Sequence, residues 1–317
     1  MIYLLNKWHG TDKKTNWKPD YLRNLKWGLD KIGARYKEID NVFFEFRHED
    51  VLIIVDYDDL WILEDYGEEV LKPLVITHSH GTGAIKLGKL DEGRIDRERR
   101  ELQNVDIVTC NTKYQAEKLR TEFAVNAHYT GYPVDFGRIK SISGRAKEWK
   151  RKYDYSIVVA GRLGVDRQLY LAVEALKEYK DEVLFAVPHS KDKAQSIWGV
   201  DTINRYEDMF NFKWDCSQEE YYEVLKFGDI IATFGCVDTM NLSVVEGLVT
   251  GLYPLVPDKK PYLEYVSEGY EPYSIKDIRG RIESKPKVDV EIEKYRLNNV
   301  MERYVDLIEK HGGEIKW

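Results

Sequence analysis

Short apolar runs and runs of helical period alternate along this chain. Ile2–Leu5, Arg35–Ile39, Val51–Val55, Leu74–Thr77 and Asp106–Thr109 have strand length and are rich in β-branched residues. Between them, Tyr21–Ile32 places apolar residues at 22, 25, 29 and 32, the spacing of one helix face. Pro19 precedes this stretch and Gly33 ends it, as a helix start and stop should. Further helices are expected around 58–71, 94–103 and 112–123.

Gly131-Tyr-Pro-Val-Asp135 interrupts the alternation, and the polar, turn-rich Lys140–Lys147 after it predicts a linker. A second series begins with strand Ser156–Ala160, helix Arg167–Glu178 and strand Val183–Val187. Ser217–Lys226 reads as a helix with Ser217 as N-cap and Glu220 completing a capping box. Strand Asp229–Phe234, a short helix after Asp238 closed by Gly251, and strand Tyr253–Val256 follow. Val290–Lys310 predicts one long amphipathic helix. Strands alternating with helices imply layered α/β structure with parallel sheets. The break near 140–150 predicts two domains, residues 1–145 and 146–317. The terminal helix, about 292–310, is expected to pack back on the first domain.

The 317 residues suffice for two domains, and 43% apolar with 32% charged residues suits a globular chain. No apolar run reaches membrane-spanning length, and the amino terminus lacks a signal-peptide pattern, so a cytoplasmic protein is expected. Cys110, Cys216 and Cys236 form no Cys-x-x-Cys pair and are expected as buried reduced thiols. Residues 151–317 carry the whole net charge of −7, which argues against broad nucleic-acid binding. Basic and aromatic residues gather at Lys7–Lys37. That patch could face an anionic acceptor or touch a membrane peripherally; a solvated helix face is the plainer alternative.

Chemistry concentrates in the second domain. Asp238-Thr-Met-Asn-Leu-Ser-Val-Val-Glu246 sets two carboxylates at a strand-to-helix junction. Backbone N–H groups at a helix start attract phosphate, while nearby carboxylates would suit sugar hydroxyls. Together they describe a nucleotide-sugar site. Upstream, strand Ser156–Ala160 runs into Gly161-Arg-Leu-Gly-Val-Asp-Arg167. Two guanidinium forks flank a turn before a helix, where cations are disfavoured without an anion partner. Gly161 permits close backbone approach.

Here the chain resembles retaining glycosyltransferases of the GT-B fold, glycosyltransferase family 4-like. That family carries a Gly-Arg-Leu…Lys turn and a later Glu-x7-Glu segment running into a small-residue helix. Arg162 matches the arginine, Arg167 stands at the lysine, Glu246 matches the second glutamate and Asp238 stands at the first. The shorter Asp238 and Asn241, in place of a usual glycine, are departures from the pattern. The resemblance implies two Rossmann-like domains facing across a cleft. It implies that Arg162 and Arg167 neutralise the donor diphosphate, that Glu246 holds the ribose and that Asp238 meets the transferred sugar. Amides of Met240, Asn241 and Leu242 would meet sugar and phosphate, with Ser243 near them. Gly10, after the first strand, stands where that loop approaches the phosphates. Gly131–Asp135 is similar to the family's Asn-Gly-Val-Asp corner without its Asn.

Val75-Ile-Thr-His-Ser-His-Gly81 puts His78 and His80 at the carboxyl end of a strand, where α/β sheets bind ligands. The resemblance implies that one of them, His80 before His78, lines the catalytic cleft. A zinc pair completed by Asp56, Asp58 and Asp59 and a pair of polar loop histidines are the alternatives. Gly83–Lys89 imitates a P-loop, but Leu90 replaces the magnesium-binding hydroxyl. Asp56-Tyr-Asp58 imitates the metal-binding Asp-x-Asp of the other large glycosyltransferase fold, which would leave the two arginines unused. No Gly-x-Gly-x-x-Gly follows the first strand, against a dehydrogenase. The expectation is therefore a metal-independent, retaining transferase with no cofactor. Its donor is a nucleotide-diphosphate sugar and its acceptor a glycan, lipid or small molecule. A nucleotide-sugar epimerase and a catalytically silent nucleotide-sugar-binding protein are the alternatives.

Overall fold

The computed structural model describes residues 1–5, 21–39, 46–54, 73–79, 92–145, 156–235 and 238–316. Gly10, Asp56, Asp58, Asp59, His80, the Gly83–Lys89 segment, Cys236 and the helix expected at 58–71 lie outside them.

Two all-parallel sheets result. The first comprises β1 (Ile2–Leu5), β2 (Tyr36–Ile39), β3 (Val51–Ile54), β4 (Leu74–Ser79), β5 (Ile107–Cys110) and β6 (Ala127–Tyr129), in the order β2-β1-β3-β4-β5-β6. The second comprises β7 (Ile157–Ala160), β8 (Val183–Ala186), β9 (Asn211–Lys213), β10 (Ile230–Ala232) and β11 (Tyr253–Leu255), in the order β11-β10-β7-β8-β9. β3, β5 and β8 are buried at every position, as strands covered on both faces must be.

The helices are α1 (Tyr21–Ile32), α2 (Glu92–Gln103), α3 (Lys113–Phe123), α4 (Phe136–Arg145), α5 (Leu169–Leu176), α6 (Lys191–Trp198), α7 (Val200–Glu207), α8 (Gln218–Phe227), α9 (Leu242–Val249), α10 (Lys260–Leu263), α11 (Ile275–Ser284) and α12 (Leu297–Lys310). Ser217 caps α8, and the Glu220 side chain returns to the Ser217 amide, so the capping box is complete. In α9, a Cβ at Gly247 would meet Ile231 Cβ at 2.7 Å, so glycine lets this helix lie tight on β10.

Two expectations are corrected. The turn-rich stretch after Asp135 is helical over Phe136–Arg145. Asp135 Oδ1 accepts from the Arg138 amide (2.9 Å), and Phe136 and Ile139 are buried, so packing overrides weak local propensity. The terminal helix is also shorter than Val290–Lys310. It begins at Leu297, after a 3-10 turn at Glu293–Tyr295, because residues 293–297 lie alongside the 131–135 corner. There the Val134 amide donates to Tyr295 O (2.9 Å) and the Leu297 amide to Val134 O (3.0 Å). From this crossing, α12 packs against α1 on the first sheet.

Candidate functional site

In the second sheet the chain leaves β7 for β8 and β9 on one side and returns to β10 and β11 on the other. The switch point lies between β7 and β10, and the crevice beyond their carboxyl ends is where such sheets take ligands. Gly161–Arg167 follows β7 and Asp238–Asn241 follows β10. The topology thus brings together two motifs more than seventy residues apart. Gly161 has φ +122°, a conformation that suits glycine, and its missing side chain faces Ser243 Oγ at 4.0 Å.

Arg167 ion-pairs with Asp238 Oδ2. The same oxygen accepts from Asn241 Nδ2 (3.1 Å) and the Tyr262 hydroxyl (3.1 Å). Oδ1 takes no part in these three bonds. Burial alone would lower the Arg167 pKa, but Asp238, Tyr262 and Asp166 outweigh it and raise the pKa above its ordinary value. Asn241 is the N-cap of α9. Its Oδ1 accepts from the Val244 amide (3.3 Å) while its Nδ2 also donates to Thr233 Oγ1 (3.0 Å). In place of glycine it therefore ties Asp238, β10 and the helix start together. Arg162 is exposed and pairs with Asp166 Oδ2 at 2.5 Å. A small pocket lined by Gly161, Arg162, Arg167 and Thr233 opens beside this network. Each arginine already has a carboxylate neighbour, so the free site is close to neutral.

Met240 and Leu242 are half-buried against the core, and Ser243 is buried with its carbonyl accepting from the Tyr221 hydroxyl (2.8 Å). Glu246 is 5% exposed and does not line the pocket. Its Oε1 accepts from the Tyr222 hydroxyl (2.8 Å). Burial pushes its carboxyl up to about 8, against the opposing pull of Tyr222, Arg138 and Arg23. Gln218 links this group to helix α1 of the first domain, donating to Tyr222 Oη (2.9 Å) and accepting from Arg23 Nη2 (2.8 Å).

His78 lies at the end of β4 with no exposed surface. Its Nε2 donates to Asn111 Oδ1 (2.9 Å), its Nδ1 meets Thr109 Oγ1 (2.9 Å), and the ring stacks on Tyr21 at 3.8 Å. It belongs to a polar network beneath α1 and α12 that includes Tyr304. The structure does not bring it together with the Arg167 and Asp238 group. No cluster of three or more His, Cys, Asp or Glu suited to a metal occurs among the described residues. Cys110 and Cys216 are buried and free.

Sequence reasoning missed His189, after β8. The Leu163 amide in the middle of the arginine turn donates to His189 Nε2 (3.2 Å). Its signal, one histidine after an apolar strand, is too common to stand out. Sequence reasoning also missed Glu264. Its carboxylate accepts from the amides of Lys113 (2.9 Å) and Tyr114 (2.6 Å) at the start of α3, joining the two domains.

No protein-family model matches the chain, and no curated protein matches it. Solved structures do. The Anabaena protein Alr3699/HepE in complex with UDP and glucose aligns over 97% of this chain and 99% of its own, at 11% identity and a TM-score of 0.69. Sucrose-phosphate synthase from Thermosynechococcus elongatus aligns over 98% and 94%, at 10% identity and TM-score 0.68. A glycosyltransferase from Rickettsia africae aligns over 98% and 97%, at 11% identity and TM-score 0.62. At these identities the likeness establishes the fold alone: two parallel-sheet α/β domains in the GT-B arrangement.

Proposed function

We propose that this chain is a glycosyltransferase that moves a sugar from a nucleotide-diphosphate-sugar donor to an acceptor hydroxyl with retention of configuration. The observation that carries the reading is the meeting of the Gly161–Arg167 turn with Asp238 and the capped start of α9 at the β7/β10 switch point. Similarity to a protein in complex with UDP and glucose supports it.

Arg162, Arg167 and the α9 amides would take the diphosphate, whose charge the nearly neutral free site does not yet hold. Asp238 would keep Oδ2 on Arg167 and turn Oδ1 to a sugar hydroxyl. As the sugar bond breaks, the arginines would stabilise the departing diphosphate, an electrostatic role that needs no metal. The departing phosphate oxygen would take the acceptor proton. Glu246 would meet the ribose once Tyr222 yields one of its contacts. Acceptor contacts would fall to the first domain, with the Lys7–Lys37 patch facing an anionic acceptor, while Gly10 would approach the donor phosphates and His80 would line the cleft beside the donor sugar; these three assignments rest on sequence alone. No helix among the described residues is long and apolar enough to cross a membrane. A cytoplasmic place, with the acceptor a glycan, lipid or small molecule, is part of the proposal.

The test is a thermal-shift screen of nucleotide sugars, then transfer assays with excess chelator. A ligand at 100 times its Kd stabilises by about 2.7 kcal/mol. No shift with any nucleotide sugar would overturn the reading, and activity lost to chelator and restored by manganese would overturn metal independence. Donor turnover without acceptor would identify an epimerase. Binding with no release of free nucleotide would identify a silent binding protein.

A further inference from the structure

The turn that carries both arginines, Gly161–Arg167, is short and rises from a strand end, so something must hold its shape. Two side chains from the neighbouring β8–α6 connection and helix do so at one residue. The Leu163 amide donates to His189 Nε2 (3.2 Å), and Trp198 Nε1 donates to Leu163 O (2.8 Å). His189 and Leu163 are both buried. The other His189 nitrogen, Nδ1, donates to Ser190 O (3.1 Å). An acceptor at Nε2 and a donor at Nδ1 define a single neutral tautomer. A second proton would have to sit on Nε2, facing the Leu163 N–H.

We propose that His189 is a positioning residue of the diphosphate-gripping turn, holding Leu163 through its neutral tautomer and releasing the turn when it is protonated. The proposal rests on the donor reading above for the word diphosphate; the hold on Leu163 stands on geometry alone. The surroundings favour the neutral form. Burial lowers the His189 pKa from 6.5, Lys193 on α6 and Arg162 on the turn push the same way, and the Ser190 carbonyl and Asp215 after β9 oppose them. The sign follows from linkage. A folded pKa below the unfolded one means that protons favour the unfolded and released forms. The hold is therefore complete above pH 6.5 and is lost as the pH falls through the folded value.

Three proteins test this: wild type, His189→Ala and His189→Gln, the last keeping an acceptor that does not titrate. Amide hydrogen exchange at Leu163 in the free protein is measured first, with the β7 amides as internal control. The expected result is exchange about tenfold faster in the alanine variant and near wild type in the glutamine variant, with β7 unchanged. Calorimetry with inorganic pyrophosphate and with UDP follows, from pH 5 to 8. The alanine variant should bind about tenfold more weakly at pH 7. The ratio of wild-type to glutamine-variant affinity should fall in acid. Equal Leu163 exchange in wild type and the alanine variant would overturn the proposal, as would a glutamine variant that keeps the full acid loss. If exchange behaves as expected but wild type binds neither pyrophosphate nor UDP, the positioning role stands and the donor reading fails.

Discussion

Replacing Glu246 by glutamine should make this protein more stable at neutral pH. The carboxyl is buried in α9, meets the Tyr222 hydroxyl at 2.8 Å, and titrates at about 8 in place of 4.5. An acid whose folded pKa is raised contributes most stability while protonated. The unfolded chain loses the proton from pH 4.5 upward, whereas the folded chain keeps it to about 8. Each pH unit in that window costs the folded state about 1.4 kcal/mol, which reaches about 3 kcal/mol at pH 7 and levels off above pH 8. Glutamine keeps an acceptor for Tyr222 and does not titrate. Urea unfolding of both proteins at pH 5, 6, 7 and 8 should show the variant gaining on wild type across this range by about that amount. Parallel stability curves would refute the reasoning. They would mean that Arg23, Arg138 and Tyr222 together hold Glu246 ionised despite its burial.

If Glu246 also takes ribose hydroxyls, nucleotide binding at pH 7 should ionise it and release most of a proton; calorimetry in buffers of different ionisation heat reads this, and no release would remove Glu246 from the ribose role. Asp238→Ala should destabilise the fold by about 3 kcal/mol, because the partly buried Arg167 loses its main partner and keeps only the longer contact to Asp166 (3.6 Å), and adding Arg167→Ala should recover part of the loss. Denaturant melts of the four proteins check this, and simple additivity would deny that the pair is coupled. Glu264→Ala should cost about 1 kcal/mol, since its carboxylate serves two amides at the start of α3, and an unchanged melting temperature would show that water replaces it without loss.

Local pattern carried the sequence reading wherever neighbours in the chain decide the outcome. Strand positions follow from β-branched runs, and the α8 start from Ser217 and Glu220, whose bonds span three residues. The two motifs at 161–167 and 238–246 were also legible, since each is a contiguous strand-to-turn-to-helix unit. Their meeting at the β7/β10 switch point was carried by family resemblance and is decided physically by strand order. Other features depend on partners far along the chain. The stretch after Asp135 is helical because its apolar residues find a core, although its own serines and glycines favour turns. The terminal helix is shortened because residues 293–297 run beside the corner at 131–135. His78 is enclosed beneath helices α1 and α12, the latter more than two hundred residues away. His189 holds Leu163, Tyr222 holds Glu246 and Glu264 caps a helix of the opposite domain. None of these pairings leaves a local trace, because a side chain's hydrogen-bonding capacity is written in the sequence while the partner that satisfies it is chosen by packing.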